Sequence, residues 1–393
     1  MHFSEENRDF DNSERTALVR ALYNGKLFPD DQIRLFRGAH QPFPTRAVKR
    51  GKVARELVSH DFSLERFEFT SRGKLFDLYD YVSQNRVTGL LVLKGNHIAL
   101  EHYEAGNTDR TRWLSMSMAK SVSSTLVGIA LRDRHIRALS DLLTDYVADL
   151  RNGPYEGVSI RDLLTMQSGV RWNETYTDPV SDRRRMLELQ IAQKPDAILR
   201  EIASLPRSSA PGSVWNYSTG ETHVLGALLR SATGRWLSDY LSEKVWSAIG
   251  MEEDASWWLE SPDGLEVAGS GLSATLRDYG RFGLFLADDG CIDDVRLLPE
   301  GWVKLAGAPQ VIGGRTIDYG FMWWPVPSAA GSSYAGGFRA GGIFGQRLYI
   351  NPAERVVIVV WSVRSKPQHA EAIDDNDFFN AIVARLGDEG RLA

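Results

Sequence analysis

Hydrophobic residues along this chain fall into two periods, and the places where the period changes outline the fold. Gly89-Leu90-Leu91-Val92-Leu93-Lys94 is an apolar, strand-like run, and His97-Ile98-Ala99-Leu100-Glu101-His102-Tyr103 is a second one. Gly95-Asn96 between them has hairpin-turn chemistry, so the stretch predicts two antiparallel strands. From about 113 to 250 the spacing becomes helical, and Val122, Leu126, Ile129 and Ala130 share one face. Ser159-Ile160-Arg161-Asp162 and Ser218-Thr219-Gly220-Glu221 are capping-box patterns that open helices, with Gly169 and Gly234 past their ends. Leu237 to Ile249 predicts another helix, stopped by Gly250. Thr275-Leu276-Arg277-Asp278 begins one that carries Phe282, Phe285 and Leu286. Beyond about 310 the chain is Gly-rich and strand-like. Gln346 to Ile350 and Arg355 to Val363 read as strands joined by the turn Asn351-Pro352-Ala353-Glu354. Phe76 to Val82 and Asp377 to Leu386 read as helical, and residues 1 to 61 as a polar, irregular arm.

Early strands, a helical middle, late strands and a closing helix predict an α+β fold. One antiparallel sheet is made from both ends of the chain, flanked by helices, with a mainly helical domain inserted. The expected divisions are an arm at 1–61, a sheet-containing domain at 62–112 and 240–393, and the insertion at 113–239.

Composition narrows the class. At 393 residues, 43% hydrophobic and 25% charged, the chain is an ordinary globular protein large enough for two domains or one elaborated domain. A net charge of −5 favours neither nucleic acid nor an anionic membrane as partner. The single cysteine, Cys291, excludes an intrachain disulfide and reads as a packing residue. The eight histidines are scattered and contain no H-E-x-x-H, so neither metal nor cofactor is expected. The longest apolar run, Val356 to Trp361, is too short to span a bilayer. Met1 to Arg8 shows no basic-then-apolar signal pattern, which predicts a cytoplasmic protein. Arg46, Lys49, Arg50, Lys52 and Arg55 read as a solvated basic face. The pairs Trp257-Trp258 and Trp323-Trp324 are candidate cleft walls, core packing being their commoner fate.

The candidate chemistry centres on Ser117-Met118-Ala119-Lys120. A helix beginning here puts residues i and i+3 on one face, so the Lys120 amine can reach Ser117 Oγ. A serine hydroxyl needs a base to become a nucleophile, and a lysine is a base only when burial or nearby positive charge lowers its pKa. Ser71-Arg72-Gly73-Lys74 has the same spacing but reads as a surface turn. Tyr217 precedes the capping box at Ser218, where a helix N-terminus lowers the cost of phenolate and suits a proton shuttle. The alternative is a half-buried tyrosine bonded to backbone. The glycines of 336–345 would let a strand edge approach a ligand and offer an N–H to an oxyanion, or else form a loop. The sequence contains no G-x-S-x-G elbow, P-loop or dinucleotide fingerprint.

Taken in order, these residues resemble the serine beta-lactamase and penicillin-binding-protein superfamily, and within it the class C-like branch that includes esterases, D-aminopeptidases and 6-aminohexanoate-dimer hydrolases. The likeness spans about 88 to 363. It rests on Trp113 to Ser121, Val158 to Gly169, Tyr217-Ser218-Thr219, Gly271 to Gly283 and Gly345 to Pro352. It implies a beta-lactamase/transpeptidase-like fold and a serine hydrolase acting on a small-molecule amide or ester through an acyl-enzyme. It implies Ser117 as nucleophile, Lys120 as base, Tyr217 as proton shuttle, and the N–H groups of Ser117 and Ile343 as oxyanion hole. Tyr176, Gly342 and Phe344 are implied to meet substrate. A D-aminopeptidase, a transacylase and a non-catalytic ligand-binding relative are the alternatives. Two positions depart from the pattern. Thr219 ends the second motif, and Ala340-Gly341-Gly342 stands where lactamases carry a lysine or histidine. With no cation in line there, linear esters are expected to be better substrates than penicillins.

Overall fold

The computed structural model describes residues 12–60, 62, 64–328 and 331–389. The stretch Met1–Arg8, which bears on a secretory signal, lies outside them. The central sheet has seven strands: β1 (Val58–Ser59), β2 (Val87–Lys94), β3 (His97–Tyr103), β4 (Trp324–Pro325), β5 (Phe338–Gly342), β6 (Gln346–Asn351) and β7 (Val356–Ser362). Their order is β4-β5-β6-β7-β2-β3-β1. Every pairing is antiparallel except that of β1 with β3. Both ends of the chain therefore build one sheet, as the two separated groups of strand-like runs predict. The β2–β3 hairpin turns at Gly95-Asn96, and β6–β7 turns at 352–355.

The helices that matter for the site are α1 (Asn12–Tyr23), α2 (Pro29–Arg37), α3 (Met118–Arg132), α4 (Thr219–Thr233), α5 (Leu276–Ala287) and α6 (Asp375–Glu389). The central strands β2 and β7 are buried along nearly their whole length. Helix α5 covers one face of the sheet and brings Gly280 and Gly283 against Leu91 and Val357. On the other face, α6 joins a second apolar cluster with Val92, Ile358 and Tyr349. A four-stranded sheet of Thr45–Val48, Ala255–Trp258, Leu272–Thr275 and Arg112–Leu114 leads directly into the Ser117 turn. Among the described residues, no helix is long and apolar enough to cross a membrane.

Three local readings need correction. The arm is not irregular where it is described, because α1, α2 and the strand Thr45–Val48 occupy it. Val19, Leu22, Tyr23, Leu35 and Phe36 are buried there at helical spacing among polar neighbours. Its basic cluster keeps Lys49, Arg50 and Lys52 exposed, as a solvated face requires, and three of its members are ion-paired. Arg46 meets Glu266 at 2.8 Å and stacks on Trp236, Lys49 meets Asp254, and Arg55 meets Asp293. Phe76 belongs to the strand Lys74–Asp77, and the helix starts only at Leu78 with Asp77 as its cap. Ser71 ends the strand opposite, buried and bonded to Asp377, so Arg72-Gly73 is the hairpin turn.

Candidate active site

Ser117 is the residue before α3, and the chain reaches it through a tight turn. Met116 has φ 48°, a left-handed conformation that bulky residues rarely adopt. Ser115 and Met116 carbonyls accept from Met118 and Ala119 N–H, closing the turn and fixing the serine at the head of the helix. Ser117 is 8% exposed and Lys120 is 1% exposed.

Lys120 Nζ lies 2.9 Å from Ser117 Oγ and donates to the Gly269 carbonyl at 2.9 Å. Burial holds the amine down at about 7. Glu174 pulls it up and Arg183 adds to the lowering. A hydrogen bond from Ser117 O–H to a neutral Lys120 fits this environment, since the amine then keeps its lone pair for the hydroxyl. The lysine nitrogen also stands 5.2 Å from the centre of the Tyr217 ring.

Tyr217 sits one residue before the N-cap of α4, where Ser218 Oγ accepts from Glu221 N–H. Only that half of the expected capping box forms. The Glu221 carboxylate instead accepts from the Ser168 hydroxyl. The expected bias toward phenolate is also absent. Burial and Glu174 push the Tyr217 phenol up, against a smaller opposite effect from its contact with Ser117. Burial is the larger cause, and Glu174 adds to it. The Glu174 carboxylate accepts from Thr219 N–H at 2.9 Å and from the Thr219 hydroxyl, so an anion sits on the helix end whose positive potential was to favour phenolate. The unusual Thr219 of the second motif thus holds Glu174. No spacing rule reveals the role of Glu174 from sequence, because its bonds to Thr219 join residues 45 apart in the chain.

Ser117, Tyr176, Tyr217, Gly342 and Ile343 line one cavity of about 720 Å3 together with Glu174, Trp215 and Trp324. Of the tryptophan pairs, Trp257, Trp258 and Trp323 are in the core and Trp324 alone lines this cavity. Tyr176 is carried on a loop that the arm braces. Arg183 reaches the Tyr23 hydroxyl, Arg184 donates to Asn24 and to the Tyr176 carbonyl, and Arg20 pairs with Glu188. Gly342 brings the end of β5 against the serine turn. A Cβ there would stand 2.5 Å from the Ser115 carbonyl oxygen, so only glycine allows the approach.

Phe344 is the site reading that the structure overturns. Its φ of 65° turns the ring inward, where it is 1% exposed and packs edge-on to Phe36 at 6.1 Å. It buttresses the turn from inside and does not line the cavity.

The wall beyond β5 is cationic, which the Ala340-Gly341-Gly342 reading did not foresee. Arg339, Arg347, Arg364 and Lys366 all line the cavity. Arg339 directly precedes Ala340 in the chain. Strand alternation places it on the same side as Gly341, and its guanidinium folds over that glycine. Arg347 comes from the neighbouring strand and faces Gly341 in register.

The model of the Beta-lactamase family matches residues 79–380. The 6-aminohexanoate-dimer hydrolase of Paenarthrobacter ureafaciens is 29% identical over 304 residues, covering 73% of this chain and 75% of that one. Esterase EstB of Burkholderia gladioli is 30% identical over 219 residues, covering 51% of this chain and 55% of its own length. A solved Bacillus anthracis structure, provisionally named a 6-aminohexanoate-dimer hydrolase, superimposes with a TM-score of 0.77 at 25% identity, over 91% of this chain and 94% of that chain. Sequence, fold and the geometry around Ser117 agree: the chain belongs to the beta-lactamase family and is a hydrolase of that fold, related to 6-aminohexanoate-dimer hydrolase and to esterases.

Proposed function

We propose that this protein is a serine hydrolase that cleaves a small-molecule amide or ester through an acyl-enzyme on Ser117. One observation carries the reading: a buried lysine amine, held at about 7, lies 2.9 Å from the serine oxygen. Near neutral pH such an amine is half deprotonated and can take the Ser117 proton as the oxygen attacks the carbonyl carbon. The tetrahedral oxyanion forms between the N–H groups of Ser117 and Ile343, two residues that both line the cavity.

Tyr217, kept as a neutral phenol, is suited to donate a proton. As the bond to the leaving oxygen or nitrogen breaks, the phenol protonates that atom and recovers a proton from Lys120. Water then attacks the acyl carbon with the same groups acting in reverse, and Ser117 regains its proton. Tyr176, opposite on the braced loop, meets the substrate. Thr219 and Glu174 act as positioning residues, because their bonds fix the end of α4 that carries Tyr217.

Stopped-flow hydrolysis of 4-nitrophenyl butyrate tests the reading. A burst of nitrophenol near one equivalent per chain is expected from wild type. Turnover without a burst would be compatible only if acylation limits, and trapped intermediate at acid pH decides that case. A Ser117→Ala protein that hydrolyses the ester at the wild-type rate overturns the reading.

A further inference from the structure

The turn that joins α1 to α2 holds two segments that are far apart in the chain and both border the cavity. The first is the loop that carries Tyr176. Tyr23 is buried, its hydroxyl accepts from Arg183 Nη2, and its ring stands 6.4 Å from that of Tyr176. Asn24 Oδ1 accepts from Arg184 Nη1 at 2.6 Å, and the same nitrogen donates to the Tyr176 carbonyl at 3.2 Å. The second segment carries Lys366 and Pro367, which also line the cavity. Lys366 Nζ donates to the Gly25 carbonyl at 2.8 Å. Gly25 has φ 62°, and a Cβ there would stand 3.1 Å from Lys366 Cδ and 3.3 Å from Pro367 Cδ, so the turn presses against that segment.

The Tyr176 loop needs these contacts. Arg183 and Arg184 are both buried. Their neighbours Asp182 and Arg185 pair elsewhere, with Arg171 and Glu201, and neither buried arginine forms an ion pair among the described residues. A buried guanidinium is costly unless its N–H groups are bonded, and the arm supplies oxygens for both. The second segment has a further hold. Phe344 N–H donates to the Pro367 carbonyl at 3.0 Å, and Arg364 N–H donates to the Phe344 carbonyl at 3.2 Å. It is therefore anchored to the turn after β5, and the arm ties the Tyr176 loop to that anchor.

We propose that Tyr23-Asn24-Gly25 is a clasp that holds the Tyr176 loop to the 364–367 segment in the binding arrangement and so sets substrate affinity. Tyr23 and Asn24 are positioning residues. The proposal rests on the serine-hydrolase reading and adds a determinant of how that site holds its substrate. With the clasp released, the loop samples arrangements in which the cavity is incomplete, and apparent affinity falls with the fraction that remains competent. Ser117 and Lys120 are held by α3 and the Gly269 carbonyl, outside the clasp, so the bound complex keeps its acylation rate.

Two measurements on Tyr23→Phe/Asn24→Leu test it. The concentration dependence of the 4-nitrophenyl butyrate burst gives the ester's Kd and its acylation rate separately. Kd is expected to rise about ten- to a hundredfold, the scale of a lost charge-assisted bond, with the acylation rate within about threefold of wild type. Asn24→Asp keeps an acceptor for Arg184 and is expected to retain the wild-type Kd. Hydrogen exchange at the Arg183 amide, which is bonded to the Asn173 carbonyl, reports the loop directly and is expected to speed up by about tenfold or more. Lys366→Met, on the other segment, is expected to speed the same amide by removing the turn's anchor. Tyr23→Phe alone removes one oxygen and carries the comparison should the double variant fail to fold. An unchanged Kd, a burst that only shrinks in amplitude, or an Arg183 amide that ignores Lys366→Met overturns the clasp. If the wild-type chain turns over no ester, the Ser117 reading falls, and the exchange comparison still decides whether the turn joins the two segments.

Discussion

Replacing Lys120 by methionine separates the electrostatic cost of the site from its chemistry. The side chain is 1% exposed, so its charged form is strongly disfavoured in the fold. Its value of about 7 in the native protein compares with 10.5 for an unperturbed lysine. Between these two the unfolded chain binds more protons than the native one, so this residue makes stability rise with pH across the window. Each unit of difference corresponds to about 1.4 kcal/mol, and the gain from pH 7 to pH 10 is on the order of 3–4 kcal/mol. Methionine has nearly the same length and no charge, so the variant lacks this dependence. Denaturant unfolding of both proteins at pH 7, 8.5 and 10 measures the difference. The free-energy gap should move in favour of wild type by roughly 3–4 kcal/mol over that range. The lost bonds to Ser117 and Gly269 shift both ends equally and do not affect the slope. A gap that stays flat within about 1 kcal/mol would refute the claim that Lys120 is neutral above pH 7. The same variant should lose about a thousandfold or more in kcat, because a base and its nucleophile act as a unit.

Other consequences are open to direct measurement. Glu174→Gln removes an anion that raises the Lys120 pKa, so the rising limb of kcat/KM against pH should move to lower pH; a shift to higher pH would contradict that role. Gly342→Ala puts a Cβ 2.5 Å from the Ser115 carbonyl oxygen, so β5 must retreat from the serine turn. Loss of one oxyanion donor predicts a fall in kcat of about a hundred- to a thousandfold, and an unchanged kcat would show that Ile343 N–H is not needed.

What could be read from the sequence was whatever depends on near neighbours. The Gly95-Asn96 hairpin, the caps at Ser159 and Thr275 and the left-handed stops at Gly234 and Gly250 all form where local rules place them. Ser117 and Lys120 meet because three residues on a helix always do. The arm was missed because the buried face of α1 is narrow and its flanks are polar. Glu174, the bracing of Tyr176 by Tyr23 and Asn24, and the place of Arg347, Arg364 and Lys366 in the cavity wall were missed for a different reason. Each arises from strands or loops brought together across the fold, and no spacing encodes them. Phe344 was expected at the substrate from the resemblance alone, and the left-handed backbone and packing that bury its ring are not encoded in any motif.

The most direct test of the central claim is the site of covalent modification. The protein is treated with a fluorophosphonate at pH 8, where Lys120 is mostly neutral, and then digested and mapped by mass spectrometry. A single adduct on Ser117, absent from Ser117→Ala and formed much more slowly in Lys120→Met, is the predicted result. An adduct on any other residue, Ser71 included, or labelling of Ser117 at equal speed without Lys120, would contradict it.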